Sequence, residues 1–525
     1  MIAQPSGVGI VIALVVTTIP LVALAKRVNI SYPIVVVVAG LFLGFVPGLP
    51  NIQLDPDLVL LIFLPPLLYW ESITAPTDVM IENAGQIGLL AIGLVIATTL
   101  AVAIAAHALI PSMSWGAAFV LGAIVSPTDV LAAVPILEFF HLPRHVIAII
   151  DGESLLNDAT ALVIYAAAIG VVATGRLSPF HMAAQFALTI VGSLALGYAA
   201  GRLGVELWRR IKDQQLQGII SVVIPFLAYF PAQQFGLSGV LAVVTAGVYV
   251  NRFTPRVMLP IARTRIAGFW ETVVFLVNTV LFLVVGLQLH DVALAAFNHY
   301  SWLLVIWYAV VINVVAIVVR LSLAVLAEYA PTIAPADHAA PDWKNALIVA
   351  WSGLRGAVSL AAALAIPLAL PNGSPFPDRD LIIFVTFSVI LVTLVGGGLT
   401  LPSLVRRLHV DGGTEERDEL RAALIRSSEA ALKRIDELEV EGRIDTAHAE
   451  TLRERFEHRR DLQLAADEQP AVDHAARHRD AEHEVIAAQR KAIIDMREQG
   501  EIDNVVLRRV QADLDLAASR SALRE

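Results

Sequence analysis

Apolar runs long enough to cross a bilayer recur along the first 404 positions, each separated from the next by a short polar break. A helix of about 17 to 25 apolar residues crosses the hydrocarbon and satisfies its own backbone groups there, so each run predicts a transmembrane helix. Thirteen are predicted, over residues 7–25, 33–48, 57–74, 86–110, 115–136, 146–174, 180–207, 217–231, 237–251, 268–288, 301–327, 345–368 and 380–404. The runs 217–231 and 237–251 are short and parted only by PAQQFG, which leaves twelve or fourteen open as the count. After Arg407 the pattern changes to apolar positions at helical spacing among dense mixed charges, as in LRAALIRSSEAALKRIDELEVEG and HAETLRERFEHRRDLQL. That predicts a solvated tail of two or three helices, broken at EQPAVDHAARHRD and resumed at DNVVLRRVQADLDLAAS. The chain is therefore divided into a transmembrane domain, 1–410, and a helical tail, 411–525.

Composition agrees with the pattern. At 57% hydrophobic, 16% charged and a mean hydropathy of +0.70, the chain is not a soluble globular protein. Lys and Arg against Asp and Glu number 18 to 19 in residues 1–410 and 19 to 28 in 411–525, an acidic excess in the tail that argues against nucleic acid as a partner. The absence of cysteine excludes disulfides, thiolate metal sites and thiol chemistry. The first run lacks a basic segment before it and is long enough to span, so it reads as a helix rather than a signal peptide. With thirteen spans and the N-terminus outside, Lys26, Arg27, Arg144, Arg209, Arg210, Lys212, Arg252, Arg256, Arg263, Arg265, Lys344, Arg406 and Arg407 all fall in cytoplasmic loops, and only Arg176 and Arg379 fall outside. This bias places the chain in the cell membrane with a cytoplasmic tail.

Charge inside the apolar runs locates the chemistry. Asp129, Glu153 and Asp158 stand within thirty positions at bilayer depth, where an ionisable group marks a functional site. At about 1.5 Å per residue, Asp129 lies roughly 20 Å into the fifth run, Asp158 roughly 18 Å into the sixth and Arg355 roughly 16 Å into the twelfth, so all three approach one midplane. Pro127 in Ser126-Pro127-Thr128-Asp129 predicts a break in the fifth span, and the glycines of SGLRGAVSL at 352–360 predict another in the twelfth. Interrupted helices at matching places in two halves point to a transporter's binding site; here helices 1 to 6 and 8 to 13 would be the repeats. Ser154 and Asp158 are four apart, as are Glu153 and Asn157, so one helix presents an oxygen-rich strip. Oxygen ligands without His or Cys suit a hard cation such as Na⁺. Glu153 is expected to pair with Arg355, with Arg320 in VVAIVVRLSLAV as a competing cation, leaving Asp158 as the titratable group. Glu71 lies roughly 21 Å into the third run and either lines the site or ends its helix at the interface. His107, His141, His145 and His181 lie near helix ends, as ordinary interfacial residues or pH sensors.

At these residues the chain resembles the bacterial sodium/proton antiporters of the NhaP and NHE exchanger family. The resemblance rests on FLPPLLYWES at 63–72, SPTDVLAAVPIL at 126–137, DGESLLNDATALVIY at 151–165 and WSGLRGAVSLAAALAIP at 351–367, and covers roughly residues 5 to 410. It implies an all-α fold of about thirteen transmembrane helices in two inverted repeats with crossed, discontinuous helices, divided into core and dimerisation domains, and a homodimer in the bilayer. It also implies that Asp158 binds the ion or the proton, that Asp129, Ser154 and Thr128 help hold Na⁺ beside Asn157, that Glu71 acts through water, and that Glu153 pairs with Arg355. The family usually carries proline where this chain has Val130. An Asn157-Asp158 pair, rather than two aspartates, favours electroneutral exchange of one cation for one proton. No cofactor is called for, and none of the usual hydrolase, metalloprotease or nucleotide-binding signatures occurs, so an enzyme is not expected. The alternative reading is a cation channel or a cation-coupled symporter of related fold.

Overall fold

The computed structural model describes residues 7–28, 30–46, 63–129, 142–174, 179–329, 342–410 and 415–464, with scattered positions between 133 and 137 and between 485 and 514. Two compact units divide the chain at Gly412 and Gly413. In the first, α1 is Gly7–Val28, α2 Tyr32–Gly44, α3 Leu64–Thr74, α4 Ala84–Leu109, α5 Trp115–Val125, α6 Arg144–Thr174 and α7 Pro179–Arg210. Then follow α8 Gln214–Gln234, α9 Gly239–Val257, α10 Pro260–His299, α11 Trp302–Tyr329, α12 Trp343–Trp351, α13 Ala357–Leu364 and α14 Arg379–Leu408. The second unit contains α15, Glu415–Val440, and α16, Thr446–Leu464, two helices packed on one another.

Each predicted run contains helix, and seven helices among the described residues are long and apolar enough to cross a membrane. The runs 217–231 and 237–251 become two separate helices, α8 and α9, turned by Gly236 at φ +68°. The fifth run stops early: α5 ends at Val125, and Ser126 to Asp129 are not helical. Proline at 127 has no N–H to continue the ladder. Most of the rest of that run, with Val130, lies outside the described residues, as do 57–62, His141, Arg176 and the EQPAVDHAARHRD stretch of the tail. The twelfth run is two helices, α12 and α13, separated by Ser352 to Gly356. α4 and α14 each contain a π-helical turn, at Leu89–Leu94 and Val392–Gly397.

Lipid as solvent reverses the usual pattern on α11. Leu303, Trp307, Val310, Val314 and Val318, at helical spacing, are exposed, while Val305, Ala309, Ile312, Ala316 and Arg320 form the buried stripe. The cation therefore continues the inward face.

Buried side chains form two main clusters. One gathers α4, α5, the ends of α6, α11 to α14, the apolar parts of α1 and α2 and the C-terminal half of α10. The other gathers α3, α7, α8, α9 and the N-terminal half of α10. α10 thus serves both, and so does α6: Val146, Ile149 and Ile150 pack in the first cluster, whereas Leu155 and Ala159 pack in the second. Asp158 stands at that seam. Along α2, α10 approaches so closely that a Cβ on Gly40 would meet Leu283 O and one on Gly286 would meet Val37 O. At one end of the unit, Asp378 Oδ1 accepts from Tyr300 OH at 2.5 Å and Ser112 Oγ at 3.1 Å, tying together three inter-helix segments.

Candidate functional site

The site is built where the two helix breaks meet. The backbone N–H of Asp129 donates to Leu354 O at 2.7 Å, joining the break after α5 to the break after α12. A helix that stops inside a membrane leaves carbonyls with no amide partner, a costly state away from water. Two arginines supply the missing donors. Arg320 Nε donates to Ala350 O at 2.7 Å and its Nη2 to Val349 O at 2.9 Å, capping α12. Arg355 Nε donates to Val125 O at 3.2 Å, capping α5, and its Nη1 to Gly353 O at 2.9 Å. A cation at a helix C-terminus also complements the helix dipole. The Arg355 N–H, at the start of the α13 side of the break, donates to Thr393 Oγ1 at 3.1 Å, which places the π turn of α14 in the same assembly.

The arginine assignment differs from the sequence expectation. Glu153 pairs with Arg320, through Nη1–Oε1 at 2.6 Å and Nη2–Oε2 at 3.1 Å, and not with Arg355. The two-point geometry satisfies both carboxylate oxygens while both side chains are at most 4% exposed. Arg355, equally buried, directs its guanidinium to carbonyls. Close packing holds Arg320 and Asp129: a Cβ on Gly353 would overlap the Arg320 guanidinium, and one on Gly356 would overlap Asp129 Oδ2.

α6 brings the remaining groups to this junction. Ser154 Oγ donates to Thr128 O at 3.1 Å, and Asn157 Nδ2 donates to Thr128 Oγ1 at 2.7 Å and to Thr128 O at 3.3 Å. Thr128 Oγ1 donates in turn to Glu153 Oε1 at 2.9 Å. Thr128 is therefore the hub that fixes α6 to the unwound strand after α5. All four of these residues are buried, and Asn157 Oδ1 has no hydrogen-bond partner among the described residues. Asp158, one position on, is 6% exposed and forms no hydrogen bond or ion pair among the described residues. Asp129 lies within electrostatic reach of it. Glu71 of α3 lies within electrostatic reach of Asp129, Asp158 and Asp151.

The structure thus brings together Asp158, Asp129, Thr128, Ser154, Asn157, Glu153 and, at the margin, Glu71. It keeps Arg355 as a backbone cap and adds Arg320 and Thr393. Its place as a lone cation in the apolar run VVAIVVRLSLAV is the sequence signal for Arg320; nothing in the local sequence distinguishes Thr393. Of the histidines, His107 Nδ1 bonds to Met113 O at 2.8 Å and His145 Nε2 to Asn345 at 3.3 Å, both away from the junction.

Comparison with known proteins bears on the same region. The family model described as the transmembrane sodium/hydrogen exchanger matches residues 10–407. An uncharacterized Na⁺/H⁺ exchanger of Mycobacterium tuberculosis is 33% identical over 524 residues, covering 97% of this chain and 95% of that protein. A sodium, potassium, lithium and rubidium/H⁺ antiporter of Bacillus subtilis is 31% identical over 406 residues, 74% of this chain and 61% of its own length. Among solved structures, the sodium proton antiporter MjNhaP1 from Methanocaldococcus jannaschii at pH 8 superposes with a TM-score of 0.61 at 18% identity, covering 76% of this chain and 98% of that one.

Proposed function

The chain belongs to the sodium/hydrogen exchanger family, whose members are membrane cation/proton antiporters, and from that premise we propose that it exchanges Na⁺ for H⁺, one for one, at the carboxylate of Asp158. The observation that carries this reading is the position of Asp158: buried, at the seam of two packing clusters, within electrostatic reach of Asp129 and one helical turn from Ser154, whose Oγ bonds to Thr128 O. A carboxylate so placed can hold a proton or a dehydrated cation, and each excludes the other. Asp129, Ser154 and Thr128 complete an all-oxygen shell suited to a hard monovalent cation. Glu71 joins through water, Asn157 sets the position of Thr128, and the Glu153–Arg320 pair with Arg355 holds the two breaks rigid.

Exchange follows if the chain reorients only with Asp158 occupied. The first cluster would be the moving core and the second, with α10 between them, the scaffold through which two copies dimerise. The name of the Bacillus relative includes potassium and lithium, so K⁺ and Li⁺ are tested beside Na⁺.

Proteoliposomes carrying a pH dye supply the test. A Na⁺ pulse is expected to move protons in the wild type at a rate unchanged when the membrane potential is clamped, and Asp158→Asn is expected to abolish that movement. Full exchange in Asp158→Asn, or a rate that follows the potential, would refute the mechanism; the latter result would favour a channel or an electrogenic carrier.

A further inference from the structure

Asn278 lies in the middle of α10, 18 residues from its first residue in a helix of 40, which is about 27 Å along a rod about 60 Å long. It is 1% exposed, and its Oδ1 has no hydrogen-bond partner among the described residues. The next residue shows the ordinary solution for a polar side chain on this helix, since Thr279 Oγ1 donates to Phe275 O at 2.6 Å. An amide oxygen buried at bilayer depth without a donor is expensive, and such a group calls for an explanation.

Its surroundings supply one. Val274 and Leu281, about one turn to either side of Asn278, share a buried cluster with Leu67 of α3 and Ala361 of α13. Leu67 is one turn from Glu71, which is within electrostatic reach of Asp129 and Asp158. Ala361 is five residues beyond Gly356, the position that abuts Asp129. Phe275, on the turn before Asn278, meets Tyr32 with ring centroids 5.0 Å apart and planes tilted by 54°, and Tyr32 lies within electrostatic reach of Asp129. Packing through Leu67 and through Ala361, with the Phe275–Tyr32 ring contact beside it, therefore leads from the part of α10 that carries Asn278 toward the carboxylate site.

We infer that Asn278 is a specificity-determining residue of the cation route, its amide oxygen being a transient ligand, directly or through one water, for a monovalent cation passing between Glu71 and Asp158. The inference rests on the antiport reading above. An oxygen that meets the cation outside the principal site stabilises the entering ion, so its loss weakens apparent cation affinity more than it slows turnover.

Cation-dependent proton movement in proteoliposomes, measured over a range of Na⁺ and Li⁺ concentrations, tests this. Asn278→Leu, close in volume and without the oxygen, is expected to raise the apparent KM at least fivefold with the maximal rate within twofold of wild type. Asn278→Asp, which keeps an oxygen there, is expected to hold KM within twofold. Should Asn278→Leu fail to assemble, Asn278→Ser and Asn278→Ala replace it as the oxygen-bearing and oxygen-free pair, and KM is again expected to rise only in the latter. An unchanged KM in the oxygen-free variants, or an equal rise in both members of a pair, overturns the assignment while leaving the antiport reading intact. A wild type with no cation-dependent proton movement overturns both.

Discussion

At the scale of single residues, the arrangement sets a matched pair of buried charges beside an acid that has no such match among the described residues. Glu153 and Arg320 complete each other, whereas Asp158 has no fixed partner among the described residues. Removing one member of a buried pair strands the other, and typically costs about 3–5 kcal/mol. Arg320→Met is therefore expected to lower the thermal unfolding temperature sharply, and Glu153→Gln combined with Arg320→Met to cost less than the sum of the two single changes. Thermal unfolding of the purified protein checks this. Were Arg355 the partner of Glu153, the non-additivity would appear with Arg355→Met instead. The pairing was not legible in the sequence because Glu153 and Arg320 are 167 positions apart; spacing along one helix can show that two groups share a face, not which distant group fills the space opposite. What was legible, Asp158, Ser154, Asn157 and Glu153 on one strip, is a property of helical periodicity alone.

At the scale of elements, the two interrupted helices and the arginines that cap them act as one unit. Gly356 admits Asp129 because it has no side chain, so Gly356→Ala pushes that carboxylate from its place and is expected to reduce exchange on the order of tenfold or more, displacements near 1 Å being enough for such losses. Gly88→Ala, where an added Cβ meets nothing within 4 Å, is the control expected to leave transport unchanged. Initial rates in vesicles distinguish them. Element ends are the least legible feature of the sequence. Hydropathy predicts the tenth helix over 268–288, whereas it runs from Pro260 to His299, because hydropathy reports only the part inside lipid, while backbone hydrogen bonds continue into polar ends such as Arg263 and Asp291. The breaks were foreseen from Pro127 and from the glycines beside Arg355, since each residue acts on its own backbone. The π turns were not, because they follow from packing.

At the scale of the whole molecule, the two units answer to different solvents. The tail hairpin buries Ile435 and Ala449 and is laced by charge at its surface: Arg453 reaches Asp436 and Glu439, each at 2.8 Å, and Asp445 Oδ1 caps α16 by accepting from His448 N at 2.7 Å. That N–H, and then the His448 side chain, hold the Asp445 carboxyl below the usual aspartate range. A carboxylate with a depressed folded value adds stability that is present above its unfolded value and lost as the pH falls through the folded one. Helicity of α16 is thus expected to be constant near neutrality and to fall only below about pH 4, where an unperturbed aspartate titrates. Asp445→Asn, which keeps a capping side chain, is expected to remove Asp445's share of that acid limb and to leave the share of Asp436 and Glu439. Carboxyl NMR shifts and circular dichroism over the same pH range report both.

The membrane unit carries a different lesson in the bond from Asp129 N to Leu354 O. It clasps two loose ends of chain together next to the carboxylates, so on the antiport reading proposed above the room left for a cation would be ruled by peptide geometry as much as by the side chains around it. Exchanging Ser154 or Thr128 for a larger or smaller hydroxyl would retune preference among alkali ions only within the tolerance of that clasp. A lasting change of preferred ion would have to begin in the backbone, with the residues that let the clasp close.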